Sequence, residues 1–504
     1  MSTNPTRRRT LQAAGAAALA AGLTNLTATS ARADEDNSAP ELVTYPRPSG
    51  VATTTSFKVR VRTAPDGEWQ TLDIYQPRAR EINATTGSGK VYNSSMVYFD
   101  FCGSAELEVT YLKGGTTKAR VRPNSYGITP ELLGDTLRFT LDEPKDLVVQ
   151  INDDVFDCLH VITNRVEKHA PAADDPDVLY YGPGLHTVNL LSVPSGKTVH
   201  LAGGAVLLGG IDLTDAEKVT VKGHGVLIPT STAGGVNVER GKDIRVEGII
   251  MLGAGVGCYD SENVHVKNGR VFTWGQWGDG FPLYCSKNIT YDGCFVRSAD
   301  DSHSIYAHRD THYGDTRDVT IKNATLWADV AHPINVGTHG NTDEPEMIEN
   351  LVFKNLDILD HREPQMNYQG CVSLNAGDSN LIKNVHVEDV RIEDFRWGQV
   401  LNFRVMYNTK YNTSVGRGIE DVYIKNLTYT GTHANPSLFL GYDADHAIKN
   451  VTFENLVVNG VVIADTMRKP TWYYTTDTVQ WYANEHVTGL KFLTTAEAEA
   501  AASS

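Results

Sequence analysis

The sequence predicts an all-β chain in which a β-sandwich precedes a parallel β-helix. Three observations carry this expectation. From Phe57 to about Ile162 the text keeps the two-residue period of strands, as in Phe57-Lys58-Val59-Arg60-Val61, Leu107-Glu108-Val109-Thr110-Tyr111 and Leu137-Arg138-Phe139-Thr140-Leu141. Beyond residue 176 one short pattern recurs nine times: two apolar positions with one residue between, then a charged position, then Gly, Asn or Asp. No helical heptads separate the copies, whose starts lie 20 to 37 residues apart. A strand-turn unit at that spacing marks a solenoid, because each unit can bury its apolar face only against the next.

The chain opens on an export signal, residues 1–33. Arg7-Arg8-Arg9 precedes an Ala/Leu/Gly run to Leu23, and Ala31-Arg32-Ala33 fits a small-x-small cleavage site. The paired arginines read as a bacterial Tat-type address, so the mature protein is expected outside the cell with no membrane anchor. Residues 34–172 form the sandwich, with strands such as Leu147–Ile151 set off by turns at Lys113-Gly114-Gly115 and Glu143-Pro144. The stretch His169–Pro176 (HAPAADDP) reads as its closing linker.

Residues 173–466 are the solenoid. Its copies begin at Val219, Ile244, Val264, Ile289, Val319, Leu351, Val385, Val422 and Val451 and close on Gly223, Gly248, Asn268, Gly293, Asn323, Asn355, Asp389, Asn426 and Asn455. The closing residues are types that enter the left-handed conformation needed to turn a corner. Residues 467–504 are the cap and tail: Trp472-Tyr473-Tyr474 and Trp481-Tyr482 are expected over the open end, and AEAEAAASS as a frayed terminus.

Composition narrows the function. Removing residues 1–33, which hold four arginines and no acid, takes the formal charge from −16 to −20. Such a surface disfavours nucleic acid and anionic membranes. It also mildly disfavours a polyanionic glycan. Six scattered cysteines suggest neither a disulfide framework nor a zinc site, although Cys102 and Cys158 share one domain and could pair. His303, His308 and His312 match no standard ligand spacing, so neither metal nor cofactor is expected.

Chemistry concentrates between Trp274 and Asp301. Asp279 follows a pair of tryptophans, and Asp300 and Asp301 come 21 and 22 residues later. That interval is about one coil, so all three acids are expected on neighbouring turns of one wet groove. Like charges so close raise at least one pKa, leaving one acid protonated to serve a leaving oxygen and another ionised to activate water. Trp274, Trp277, Trp327 and Trp397 suit stacking on sugar faces or packing under loops.

These residues resemble those of the polygalacturonase-type family 28 and dextranase-type family 49 glycoside hydrolases. Trp277-Gly278-Asp279-Gly280, Ala299-Asp300-Asp301-Ser302 and His332-Pro333-Ile334-Asn335-Val336-Gly337-Thr338-His339-Gly340 are similar to their three motifs, over roughly residues 180–460. The resemblance implies a right-handed β-helix and an inverting hydrolase of a polysaccharide. Asp300 would be the general acid, Asp279 and Asp301 would jointly hold the water, His332 would orient or tune the acids, and His332 and Asn335 would belong to the substrate site with Trp274, Trp277 and Arg404. The sandwich in front looks more like family 49. Family 28 carries an Arg-x-Lys pair on a later coil; here Gly370-Cys371-Val372-Ser373-Leu374 has neither cation, with Arg404 as a late substitute. A neutral α-glucan such as dextran is therefore the expected substrate. Pectin cleavage, a polysaccharide lyase and a non-catalytic glycan-binding solenoid are the alternatives.

Overall fold

The structure is a computed structural model that describes residues 40–83, 88–230 and 234–503; the expected signal peptide lies outside the described residues. Two five-stranded sheets form the sandwich. One runs Glu41–Thr44, Ser95–Cys102, Leu159–Asn164, Leu147–Ile151, Ala119–Arg122, and the other Gln70–Leu72, Phe57–Thr63, Ala105–Tyr111, Thr136–Leu141, Glu131–Leu133. Alternation sends Val59, Val61, Leu107, Val109, Leu137 and Phe139 into the space between the sheets, against Phe99, Phe101, Val149 and Val161.

Three strands of the first sheet, Ser95–Cys102, Leu147–Ile151 and Leu159–Asn164, break the alternation. Ser95–Cys102 is buried at every position because its second face lies on the solenoid. There Met96 and Tyr98, with Val148 and Ile162, meet Val226, Ile250, Leu252, Phe272, Phe295 and Trp327 in a core of their own. Trp327 therefore belongs to the joint between the two units and not to a sugar platform.

From Val178 onward the chain winds into a right-handed parallel β-helix whose strands join one 31-stranded sheet. The nine repeats lie in register: Thr220, Arg245, His265, Thr290, Thr320, Val352, His386, Tyr423 and Thr452 oppose one another in sequence. The next residue of each copy, from Val221 and Val246 through Ile424 and Phe453, is buried in a continuous core. Each closing residue has positive φ, between 49° at Asn268 and 116° at Gly223. The residue before each copy does too: Lys218, Asp243, Asn263, Asn288, Asp318, Asn350, Asn384, Asp421 and Asn450 lie between 55° and 59°. At these corners Asn side chains bond from coil to coil, as Asn355 Nδ2 does to Asn323 Oδ1 and Asn323 Nδ2 to Asp292 Oδ1, both at 2.8 Å.

At the far end Trp481 packs on Phe439, Phe453 and Phe492. Trp472 and Tyr474 do not join this lid and stay 78% and 79% exposed. The expected frayed tail is instead a helix, Thr495–Ala502, started by a reciprocal Thr494–Glu497 cap. Cys102 and Cys158 are buried and unbonded, like the other four cysteines apart from the half-buried Cys285. No helix among the described residues is long and apolar enough to cross a membrane.

Candidate active site

Each acid sits at a turn that leads into one face of the solenoid. Asp279 precedes the strand Phe281–Tyr284, and Asp300 and Asp301 precede His303–Tyr306, which pairs with it on the next coil. Glycine permits the stacking of these turns. A Cβ on Gly255 would meet the Gly280 carbonyl oxygen at 1.7 Å, and one on Gly280 would meet the Ser302 oxygen at 2.6 Å. The result is that carboxylate oxygens of Asp279, Asp300 and Asp301 lie within 4.8 Å of one another.

The three acids are not equivalent. Asp279 and Asp300 keep accessible surface, whereas Asp301 is 3% exposed. The three acids expected to share one open groove thus differ in access: Asp279 and Asp300 are partly exposed and Asp301 is buried beside them. Asp301 Oδ1 accepts from His332 Nδ1 (2.7 Å) and the His332 backbone N–H (3.0 Å). Its Oδ2 accepts from Asn335 Nδ2 (2.8 Å) and Tyr306 Oη (3.3 Å). His332 also donates from Nε2 to the Tyr368 carbonyl at 2.8 Å. Both ring partners are acceptors, so the ring holds two protons. Burial alone would push its pKa down; the charge and hydrogen bond of Asp301 outweigh that and hold it above the usual value.

His332 and Asn335, both expected among the substrate-site residues, have no accessible surface, and their donors are directed at Asp301, Tyr306 and Tyr368, an arrangement that orients an acid. It also bears on a shared cation. Four donors already converge on the two Asp301 oxygens, so a cation shared by the three acids would compete with them there. His303, His308 and His312 do not converge: His303 is inside the coil on Phe281, while His312 pairs with Asp260.

Burial, then the charges of Asp279 and Asp301, hold Asp300 well above the carboxylate range. Burial and Asp301 also raise Asp279, but Ser304 Oγ donates to its Oδ2 at 2.6 Å and favours the anion. Both acids are thus held above the usual carboxylate range, Asp279 to about 8, and the Ser304 bond makes Asp279 the one that ionises more readily.

A cleft of about 880 Å³ opens beside Asp279, lined by Trp274, Trp277, Tyr259 and Tyr284 and by Gln76 and Arg78 of the sandwich. Trp277 is 73% exposed and held at φ 58°, and the Arg78 guanidinium lies 4.5 Å from the centre of the Trp274 ring. Arg404 lies farther along the solenoid, bonded to the Asn367 carbonyl (2.7 Å), with no carboxylate partner among the described residues. The coil after His332 presents Ser373 opposite Asn335, where no cation stands. A larger groove of about 1040 Å³ between sandwich and solenoid holds none of the acids. Its Arg270 and Arg391 are already paired with Asp146 and Asp357, which leaves the smaller cleft as the candidate site.

Among solved structures the chain is similar to Dex49A from Penicillium minioluteum, with a TM-score of 0.58 over 90% of this chain and 96% of that one. It shares that fold. Identity is 10%, so the likeness speaks for architecture alone. The family 28 exopolygalacturonase of Yersinia enterocolitica (TM-score 0.46, 12% identity, 77% of this chain and 96% of that one) is also similar. So is the catalytic unit of a GH87 α-1,3-glucanase from Streptomyces thermodiastaticus (0.42, 15%, 90% and 88%). No protein-family profile and no curated protein matches the chain.

Proposed function

We propose that the chain is an exported polysaccharide hydrolase in which Asp300 is the general acid and Asp279 the general base. The observation that carries this reading is the inequality of the three carboxyls: Asp279 lines the cleft and takes a hydrogen bond from Ser304, Asp300 beside it keeps accessible surface and is held well above the carboxylate range, and Asp301 is buried and fixed by His332. In the reaction the Asp300 proton passes to the glycosidic oxygen as its bond to the anomeric carbon breaks. Water attacks that carbon and yields its own proton to Asp279, so the pair ends with its proton relocated and is reset by solvent. A neutral α-glucan such as dextran is the proposed substrate. Exposed aromatic rings lining the cleft offer apolar stacking, a contact that needs no charge on the sugar.

The proposed stereochemistry is inversion, as the sequence resemblance implies. The separation within 4.8 Å favours a second reading, in which Asp279 attacks directly and configuration is retained. Incubation with dextran, pullulan and polygalacturonate tests all of this at once. New reducing ends from a neutral glucan, with the anomer inverted in the first proton NMR spectra, are expected. Asp300→Asn should lower turnover by about 10²–10⁴-fold with folding intact. A retained anomer would transfer the nucleophile's role to Asp279, and unsaturated ends would mean a lyase. No cleavage of any glycan, or near-normal turnover by Asp300→Asn, would sink the hydrolase reading.

A further inference from the structure

Resting on that reading of Asp279 as the base, we infer that Ser304 is its positioning residue: the Ser304 hydroxyl aims the Asp279 carboxylate and favours its ionised form. Ser304 is fully buried on the outward face of His303–Tyr306, between the inward side chains of His303 and Ile305. Its Oγ lies 2.6 Å from Asp279 Oδ2. On the next strand Asn335 stands opposite Ser304 and serves Asp301 in the same way, Nδ2 to Oδ2 at 2.8 Å. Two successive outward positions of one column thus each reach back one coil to hold one acid.

The other groups facing Asp279 act by charge. Asp300 and Asp301 on the following coil oppose its ionisation, and Arg309 beyond that strand together with the Asp301 backbone N–H favours it. Tyr259 and Tyr284 beside it are phenols whose own pKa is driven up by burial and by Asp279, so they stay neutral. Among these groups Ser304 alone gives the carboxylate a side-chain hydrogen bond, and its geometry rather than a net charge selects which oxygen remains free for water.

The test is the pH dependence of kcat/KM on the cleaved glucan for the mature chain, Ser304→Ala and Ser304→Thr. The acid limb reports loss of the base's ionised form, so removing a donor to that form moves the limb to higher pH. We expect a rise of about one pH unit for Ser304→Ala, hence about tenfold less activity at a pH on the limb, and return of the limb in Ser304→Thr. Superimposable limbs, or a uniformly lower profile with the limb unmoved, would overturn the inference. Isotope-edited infrared titration of the carboxyls, with Asp279→Asn to assign the band, reads the same shift without turnover. A chain that cleaves nothing would therefore sink the hydrolase reading while still deciding the Ser304 contact. Ser304→Cys, near in size and a weaker donor, gives a smaller shift in the same direction where the alanine variant does not fold.

Discussion

At the scale of the residue, the buried Asp301–His332 pair makes stability depend on pH in a direction that can be worked out. The folded pKa of His332 is raised, so the pair's contribution is fully present below about 6.5 and is lost as pH rises through the folded value. Asp301→Asn removes the charge that keeps the buried imidazole protonated. The unfolded chain then binds a proton below about pH 6.5 that the folded chain refuses, and the variant loses about 1.4 kcal/mol per pH unit there. Melting temperatures of wild type and Asp301→Asn should therefore lie closest near pH 8 and diverge toward pH 5; parallel curves would count against a doubly protonated ring. The same pair marks what could be read from the text. Asp279, Asp300 and Asp301 stand out by spacing, and Ser304 lies on the outward parity of its strand, a signal that was there to use. The burial of Asp301 has no local signal, because the lid over it includes Tyr368, which arrives from a distant loop.

At the scale of the element, the coil is specified twice at its corners. The closing Gly or Asn of each repeat was legible because it ends a recurrent pattern. The equally left-handed residue before each repeat, Asn or Asp in eight copies and Lys218 in the other, lies just outside that pattern and is visible only once the strands are aligned. Ser95–Cys102 escaped the alternation rule for the opposite reason: a strand covered on both faces has no polar face to alternate with, and its apolar residues fall on both parities around the buried Ser95 and Asp100. The corners give a clean substitution series at Asn355, which has φ 54°, donates to Asn323 and accepts from Arg391 Nη2 at 2.8 Å. Alanine in the left-handed region costs about 1–2 kcal/mol, whereas glycine enters it freely. Thermal melts should rank wild type above Asn355→Gly and Asn355→Gly above Asn355→Ala. The reverse order of the two variants would mean that the side-chain ladder, and not the backbone, governs the corner.

At the scale of the whole molecule, the sandwich is a wall of the site and not an appendage, since Gln76 and Arg78 line the cleft beside Asp279. What holds that wall is a joint of buried cations around Trp327. Arg297 lies 4.2 Å and Arg122 5.0 Å from the ring centre, and Arg297 bonds Asp329 at 2.9 Å. Arg122 crosses the boundary: it leaves the sandwich, donates Nε to Glu393 of the solenoid at 2.8 Å and binds the Leu359 carbonyl, while Glu393 accepts the Asn124 backbone N–H at 2.6 Å. Arg122→Ala would strand Glu393 in the joint with one donor. Breaking a buried pair from one side costs about 3–5 kcal/mol, because the remaining charge is uncompensated. Melting should fall by several degrees, and the double variant Arg122→Met/Glu393→Gln, which removes both charges, should recover most of the loss. The effect on catalysis separates a wall from a spacer. If the joint fixes the cleft, Arg122→Ala raises KM for the glycan on which the proposed hydrolysis is measured while kcat stays within about threefold, the pattern of lost binding that is equal in ground and transition states. An unchanged KM in a destabilised variant would mean that the solenoid alone shapes the substrate path.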